Sequence, residues 1–335
     1  MRTVAWLGNP FFCSKLEAHG WRVAFAGRLP HLPLGWDEVV ALAGGVPDLV
    51  VLGDSSAPPL LAGLERYPCP TLFYSVDSHI HAWHPLYARA FDLVLASLAD
   101  HLPGFRAAGV AEHRLRWSPP YARDEDGPLP GSPREFGLLF VGSVNPVTSP
   151  GRADFLAQVG RLHPGLAVRQ GAYRELYARA RVVLNEAERG DLNFRVFEAL
   201  GCGVCLLTPQ VGHGLAGLFA EGRELFTYPP GDARAVAAKT RVLLRNPDLC
   251  ARTAAAGLAA VDAGHRARHR AQALGRWLDS LDLPALVAAR LARADSLFRE
   301  TLRPLYLHAA EGYPAGDMPQ RYLAAARGAG RPSGS

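Results

Sequence analysis

Ten short apolar runs constrain this chain more than any other feature. Five lie in the first third: "TVAWLG" (3–8), "RVAFAG" (22–27), "DLVVLG" (48–53), "PTLFYSV" (70–76) and "FDLVLAS" (91–97). Five more follow a break: "GLLFVGS" (137–143), "LAVRQG" (166–171), "RVVLNEA" (181–187), "VCLLTP" (204–209) and "ELFTYPP" (224–230). Each is continuous and rich in Val, Leu or Phe, as a strand buried on both faces must be. The intervals are long enough for helical crossovers, so the pattern predicts an α/β chain with two doubly wound, Rossmann-like parallel sheets. The break itself, "ARDEDGPLPGSPREF" (122–136), is rich in Pro, Gly and charge and reads as a linker. Expected divisions are therefore a domain over 1–123, a linker over 124–135, a second domain over 136–275 and a helical C-terminal extension over 276–335. The last residues, "GAGRPSGS", read as a frayed end.

Composition narrows the class. A chain of 335 residues with 49% hydrophobic and 20% charged residues folds as a globular protein, in two domains by length alone. No apolar run approaches the length of a membrane-spanning helix. The opening "MRTVAWLG" reads as a strand and lacks the shape of a signal peptide, which points to the cytoplasm. The 5 cysteines are odd in number and irregular in spacing, as expected of reduced thiols. Lysine and arginine number 36 for a net charge of +5, and only Lys15 and Lys239 are lysine. Arginine grips phosphate and carboxylate with a planar fork. A biased genome explains the same excess. The arginines are scattered, and no aromatic-interleaved basic patch points to nucleic acid.

Chemistry concentrates in "GDLNFRVFEALGCGVCLLTP" (190–209). Asn193 suits a helix N-cap, Phe194, Phe197 and Leu200 give an apolar face, and Gly201 closes the helix. A helix N-terminus offers backbone N–H groups and partial positive charge to a diphosphate, and Arg195 adds a fixed cation there. Glu198 lies one turn further in, where its carboxylate would accept both hydroxyls of a ribose. The same stretch holds Cys202-x-x-Cys205. No second pair exists for zinc, and a thioredoxin-like pair would open a helix rather than follow one, so two small buried residues at a turn explain it best. Gly212-His213-Gly214-Leu215-Ala216-Gly217 matches GxGxxG but follows the fourth strand of its domain, whereas a dinucleotide fingerprint follows the first. Neither lysine sits in a glycine loop, which excludes a P-loop.

Two further stretches carry candidates. In "SVDSHIHAWH" (75–84), Asp77, His79 and His81 alternate, so an extended chain would present all three to one metal ion. The stretch also follows a buried strand, and a loop there would instead bring a histidine or Asp77 to a substrate. From Arg252 to Arg276, five arginines (252, 266, 268, 270 and 276) face Asp262 alone. They form either a solvated helix face or a surface for an anionic membrane or phosphate-bearing partner.

The 190–209 segment, "GLAGLFAEGRELFTYPPGDARAVAAKTRVLLRNPDLCARTAAAG" (214–257) and "HRARHRAQAL" together resemble the C-terminal domain of CgeB-like (spore-maturation-protein-like) glycosyltransferases, relatives of the retaining family 4. "FVGSV" (140–144) and "YARARVVLNEA" (177–187) fit that domain, and "FYSVDSHIHAWHPLYARAFDLVLAS" resembles its N-terminal companion. The likeness runs from about residue 70 to 275.

The resemblance implies a GT-B architecture, with the nucleotide-sugar donor in the second domain and the acceptor mainly in the first. No cofactor is implied beyond a nucleotide-diphosphate sugar as co-substrate, UDP-sugar being favoured, and no metal. By the same correspondence, Glu198 matches the glutamate that holds the donor ribose, and the backbone of Asn193 and Phe194 the turn that binds diphosphate. Gly142 and Ser143 match the loop under the donor phosphates, and Tyr173 falls beside the base. His79 matches a histidine that touches the sugar. Family 4 enzymes carry a second glutamate eight residues before the first. Gly190 stands there, with Asp191 or Glu188 as substitutes. They also place an arginine and a lysine after the first strand of this domain, where only Arg152 is found, so Arg195 would share the work on the leaving diphosphate. A transferase acting with retention on an unidentified acceptor is the reading. An epimerase or hydrolase on the same fold and a non-catalytic nucleotide-sugar module are the alternatives.

Overall fold

A computed structural model describes residues 1–27, 29, 32–187, 189–313 and 316–332. They divide into two compact units, one built from 1–118 with 270–335, the other from 119–269.

The first unit holds six parallel strands in the order β2-β1-β3-β4-β5-β6. They are β1 (Arg2–Gly8), β2 (Trp21–Ala26), β3 (Leu49–Gly53), β4 (Thr71–Ser75), β5 (Leu93–Ala96) and β6 (Leu115–Trp117). Every residue of β3, β4 and β5 is buried, which is why these runs read as unbroken apolar stretches. β6 carries only three residues, Arg116 among them, and left no apolar run to detect.

Residues 276–335, expected as an extension, are part of this unit's core. Leu302, Leu305, Tyr306 and Tyr322 pack in one cluster with Leu52, Leu61, Tyr67 and Phe73. Arg290, on the Leu283–Leu291 helix, is fully buried. Its Nε donates to both oxygens of buried Asp92, at 3.0 and 3.1 Å, and its remaining nitrogens reach the carbonyls of Leu64, Tyr67 and Cys69 at 2.8–2.9 Å. Breaking such a buried pair by truncating one partner costs about 3–5 kcal/mol, so this helix is anchored rather than appended. The chain end is not frayed up to residue 332. Trp36 N–H donates to Gly330 O at 2.8 Å, and Arg331 pairs with buried Glu65 at 2.7 Å. The final three residues lie outside the described set.

The second unit holds five parallel strands in the order β11-β10-β9-β7-β8. They are β7 (Phe136–Val141), β8 (Leu166–Arg169), β9 (Ala180–Leu184), β10 (Cys205–Pro209) and β11 (Phe226–Tyr228). Residues 119–135, expected largely as a linker, belong to this unit. Ala122 pairs in parallel with Arg266, its N–H on His265 O and its carbonyl on Ala267 N–H, both at 2.9 Å. Among the described residues no helix is long and apolar enough to cross a membrane.

Candidate active site

Open parallel sheets bind ligands at the carboxyl ends of their strands, where the strand order reverses. In the second unit the reversal falls between β7 and β9. Gly142 and Ser143 follow β7, Asn185 and Glu186 follow β9, and the Phe194–Gly201 helix comes next. That helix forms because Val196, Phe197, Ala199 and Leu200 recur at helical spacing, and all four are buried. Its last residue is Gly201, and the left-handed residue that closes it follows at Gly203. Gly203 has φ +66°, and its N–H and that of Val204 close on Leu200 O and Ala199 O at 3.0 and 3.3 Å. Gly201 is helical, and glycine is needed there for closeness: a Cβ would sit 2.7 Å from that of Ala122.

Asn193 occupies the N-cap position in extended conformation, yet its side chain makes no capping bond. Instead Nδ2 reaches Glu186 O at 3.4 Å, and Oδ1 is buried without a partner. Arg195 stands over the Phe140 ring at 5.9 Å, and its Nη2 lies 3.1 Å from where a Cβ on Gly142 would be. Gly142 therefore leaves room for the guanidinium, and the two candidate residues meet at the end of β7. One turn into the helix, Glu198 is largely buried. Burial and the neighbouring Asp126 carboxylate push its carboxyl up to about 7, against the pull of Arg195 and Arg123.

The other expected residues fall around this centre. Arg152, on the Pro150–Leu162 helix, does not stand open toward a diphosphate. Its Nε donates to Glu186 at 2.7 Å and Nη1 to Ser143 O at 3.3 Å, so it ties the loop after β9 to the loop after β7. Tyr173 opens the Tyr173–Ala178 helix, with its hydroxyl on buried Asp126 at 2.8 Å and Arg123 over its ring at 5.9 Å. Asp191 is half-buried, and Glu188 lies outside the described residues. Gly190 has φ +74°, a conformation a glutamate would adopt only with strain. Sequence reasoning missed Asp126 and Arg123, which read as linker, and Glu186. Nothing local marks Asp126, because the parallel pairing of Ala122 with Arg266 that seats it joins residues far apart in the chain.

The five arginines expected as one face do not form one. Arg266 is buried, with Nε on Asp262 at 2.5 Å and Nη1 on the carbonyls of Arg123 and Asp126 at 2.7 and 2.8 Å. Arg268 pairs with Asp124 at 3.0 Å.

In the first unit the strand order reverses between β1 and β3. Asp54, following β3 and buried, gathers the loops there. Its Oδ1 accepts from Ser56 N–H at 2.9 Å, and Oδ2 from Val76 and Asp77 N–H at 2.9 and 2.6 Å. Its carbonyl accepts from Asn9 Nδ2 at 2.7 Å. Ser56 Oγ donates to the Asp77 carboxylate. Residues 77–81 are a turn, with the N–H groups of Ile80 and His81 both on Asp77 O at 2.9 Å. Strict alternation is lost, so Asp77, His79 and His81 do not line one side. Among the described residues no three His, Cys, Asp or Glu side chains are grouped to hold a metal ion. His84 is the buried member of the stretch. Its Nδ1 lies 2.8 Å from Ser75 Oγ and 3.7 Å from Asp54, and desolvation, with His81 nearby, pushes its imidazole down to about 3. It is neutral, and the contact with Asp54 is not an ion pair.

Comparison with known proteins agrees with this architecture. A family model described as glycosyl transferase-like matches residues 143–276. No curated protein matches the sequence. Among solved structures, HepE from Anabaena, in complex with UDP and glucose, superposes with a TM-score of 0.58 at 16% identity, covering 84% of this chain and 100% of that one. Sucrose-phosphate synthase from Thermosynechococcus elongatus gives 0.59 at 14% identity, over 86% and 100%. A glycosyltransferase from Rickettsia africae gives 0.53 at 10%, over 83% and 98%. The chain has the GT-B fold, and residues 143–276 are similar to the glycosyl transferase-like family.

Proposed function

We propose that this protein is a cytoplasmic glycosyltransferase that moves a hexosyl group from a UDP-sugar to an acceptor with retention at the anomeric carbon, using no metal ion, in the manner of the CgeB-like relatives of family 4. One observation carries the reading: Glu198 and Arg195 sit together at one helix mouth, beside Gly142, at the point where the second sheet reverses its strand order. A carboxylate and a cation so placed match a nucleoside diphosphate, with Glu198 accepting the ribose hydroxyls and Arg195 stabilising the leaving diphosphate. Backbone at Asn193, Phe194, Gly142 and Ser143 cradles the phosphates, and Tyr173 flanks the base. Arg152 supports the loop before the helix through Glu186, and Asp191 stands in at the sugar hydroxyls for the glutamate absent at Gly190. In the first unit, Asp77 or His79 contacts the sugar or the acceptor hydroxyl, with His79 assisting proton transfer. The UDP and glucose bound by HepE support the donor class.

A second reading, a nucleotide-sugar-binding module without turnover, is favoured by Gly190, where glycine and its left-handed backbone stand in place of the expected glutamate. Incubation with a panel of nucleotide sugars separates the readings. Nucleotide release that requires an acceptor is the expected result. Release without acceptor identifies a hydrolase or epimerase, and tight binding with no release identifies the module.

A further inference from the structure

A second pocket of the 119–269 unit lies away from the strand ends just described. It encloses about 390 Å³ where β9 and β10 begin and two helices, Ala233–Arg245 and Pro247–Gly264, meet. Val204, Leu243, Leu244 and Ala254 wall it, Arg134 and Arg181 stand at it, and Cys205 and Cys250 both face it. The two thiols are neighbours in one core cluster, and Cys250 Sγ donates to Leu243 O at 3.2 Å. The Cys202-x-x-Cys205 spacing is therefore misleading. Cys205 is partnered by Cys250, on a helix distant in sequence, whereas Cys202 sits among the carboxylates of Asp126 and Glu198.

We infer that Cys250 and Cys205 form a thiol-modification site, in which a hydroperoxide entering the pocket oxidises Cys250 and Cys205 resolves the product as a disulfide. The Cys250 sulfur attacks the O–O bond; an S–O bond forms, the O–O bond breaks, and the departing oxygen leaves as alcohol or water with the released proton. The Cys205 sulfur then attacks Cys250, an S–S bond forms, and the hydroxyl leaves as water with the Cys205 proton. Two thiols lose two electrons and the hydroperoxide gains them. Two features favour Cys250 as the attacking thiol. It is the more exposed of the pair, 8% against 1%, and the guanidinium of Arg181 at the same pocket favours its thiolate. Burial instead pushes Cys13, Cys69 and Cys202 up to about 11, 12 and 12. Transient disulfides of this kind occur in reducing compartments as sensors. The disulfide would tie the Pro247–Gly264 helix to β10.

The full chain, treated with a low dose of hydrogen peroxide, alkylated and digested without reduction, provides the test. A peptide linking Cys205 to Cys250 is expected, with loss of two of the five free thiols and their return on reduction. In Cys205→Ser, dimedone should label Cys250. In Cys250→Ser, no thiol should be lost. A Cys202–Cys205 link, or five intact thiols at a dose that oxidises free glutathione, overturns the proposal. The wild-type peptide map decides even if a variant fails to fold.

Discussion

The two sheets reverse their strand order at corresponding points, between β1 and β3 and between β7 and β9, and treat those points differently. In the first, Asp54 accepts from three backbone N–H groups, Ser56 donates to Asp77, Asn9 donates to the Asp54 carbonyl and His84 lies against Ser75, while buried ring nitrogens of His79, His81 and His84 have no partner. In the second, Asn193 leaves its helix without a side-chain cap, and a raised Glu198 stands with Arg195 beside Gly142. One switch point is invested in rigid loops, the other keeps charged groups at a cost to stability. Sites that bind charged ligands show this second pattern, because groups satisfied internally cannot bind anything else.

The largest effect should come from Glu198→Ala. Loss of two hydrogen bonds to a charged group removes roughly 3–6 kcal/mol of UDP or UDP-sugar affinity, with no loss of thermal stability. Unchanged affinity by titration calorimetry would move the donor site elsewhere. Asp54→Ala should do the reverse. Stranding three amides lowers stability by about 2–4 kcal/mol in denaturant melts while UDP affinity holds. Equal losses of UDP affinity in both variants would break the comparison.

His79→Ala tests whether the first unit contributes chemistry. Turnover should fall about 10- to 100-fold, or about 1.4–2.7 kcal/mol, with donor affinity little changed and activity indifferent to EDTA. Inactivation by EDTA with rescue by a divalent ion would restore the metal reading of this stretch.

The smallest effect is the most discriminating, because the two units titrate in opposite senses. Glu198, raised to about 7, favours the folded state at low pH and loses that contribution as pH rises from its ordinary 4.5 through 7. His84, lowered to about 3, contributes above 6.5 and loses stability as pH falls toward 3. Glu198→Gln should therefore be more stable than the parent by about 1–2 kcal/mol at pH 8 and equal to it at pH 4, while binding UDP more weakly. A variant that is less stable at pH 8 would show that Glu198 is not buried at a cost.

Much of the fold could be read from the chain because burial on both faces writes itself into continuous apolar runs. Each of the ten runs overlaps an observed strand, and only three-residue β6 escaped. Glu198, Arg195 and Asn193 were legible for a related reason: they lie on one short helix, where spacing alone sets which residues share an end. Asp126, Arg123, Asp54 and the Cys205–Cys250 pair were not. Each owes its place to contacts between segments distant in sequence, and no local periodicity marks them.

The sequence by itself determined two parallel sheets and the helix that carries Glu198. Tertiary structure alone decided that residues 276–335 belong to the first unit, through Arg290 on Asp92, and that 119–135 belong to the second, through Ala122 on Arg266. It also decided that Arg152 and Arg266 are committed to internal partners. The physical reason is one of range. Strand and helix patterning follows from periodicities of two and about 3.6 residues. Which charge is satisfied and which stays available depends on what the fold packs against it.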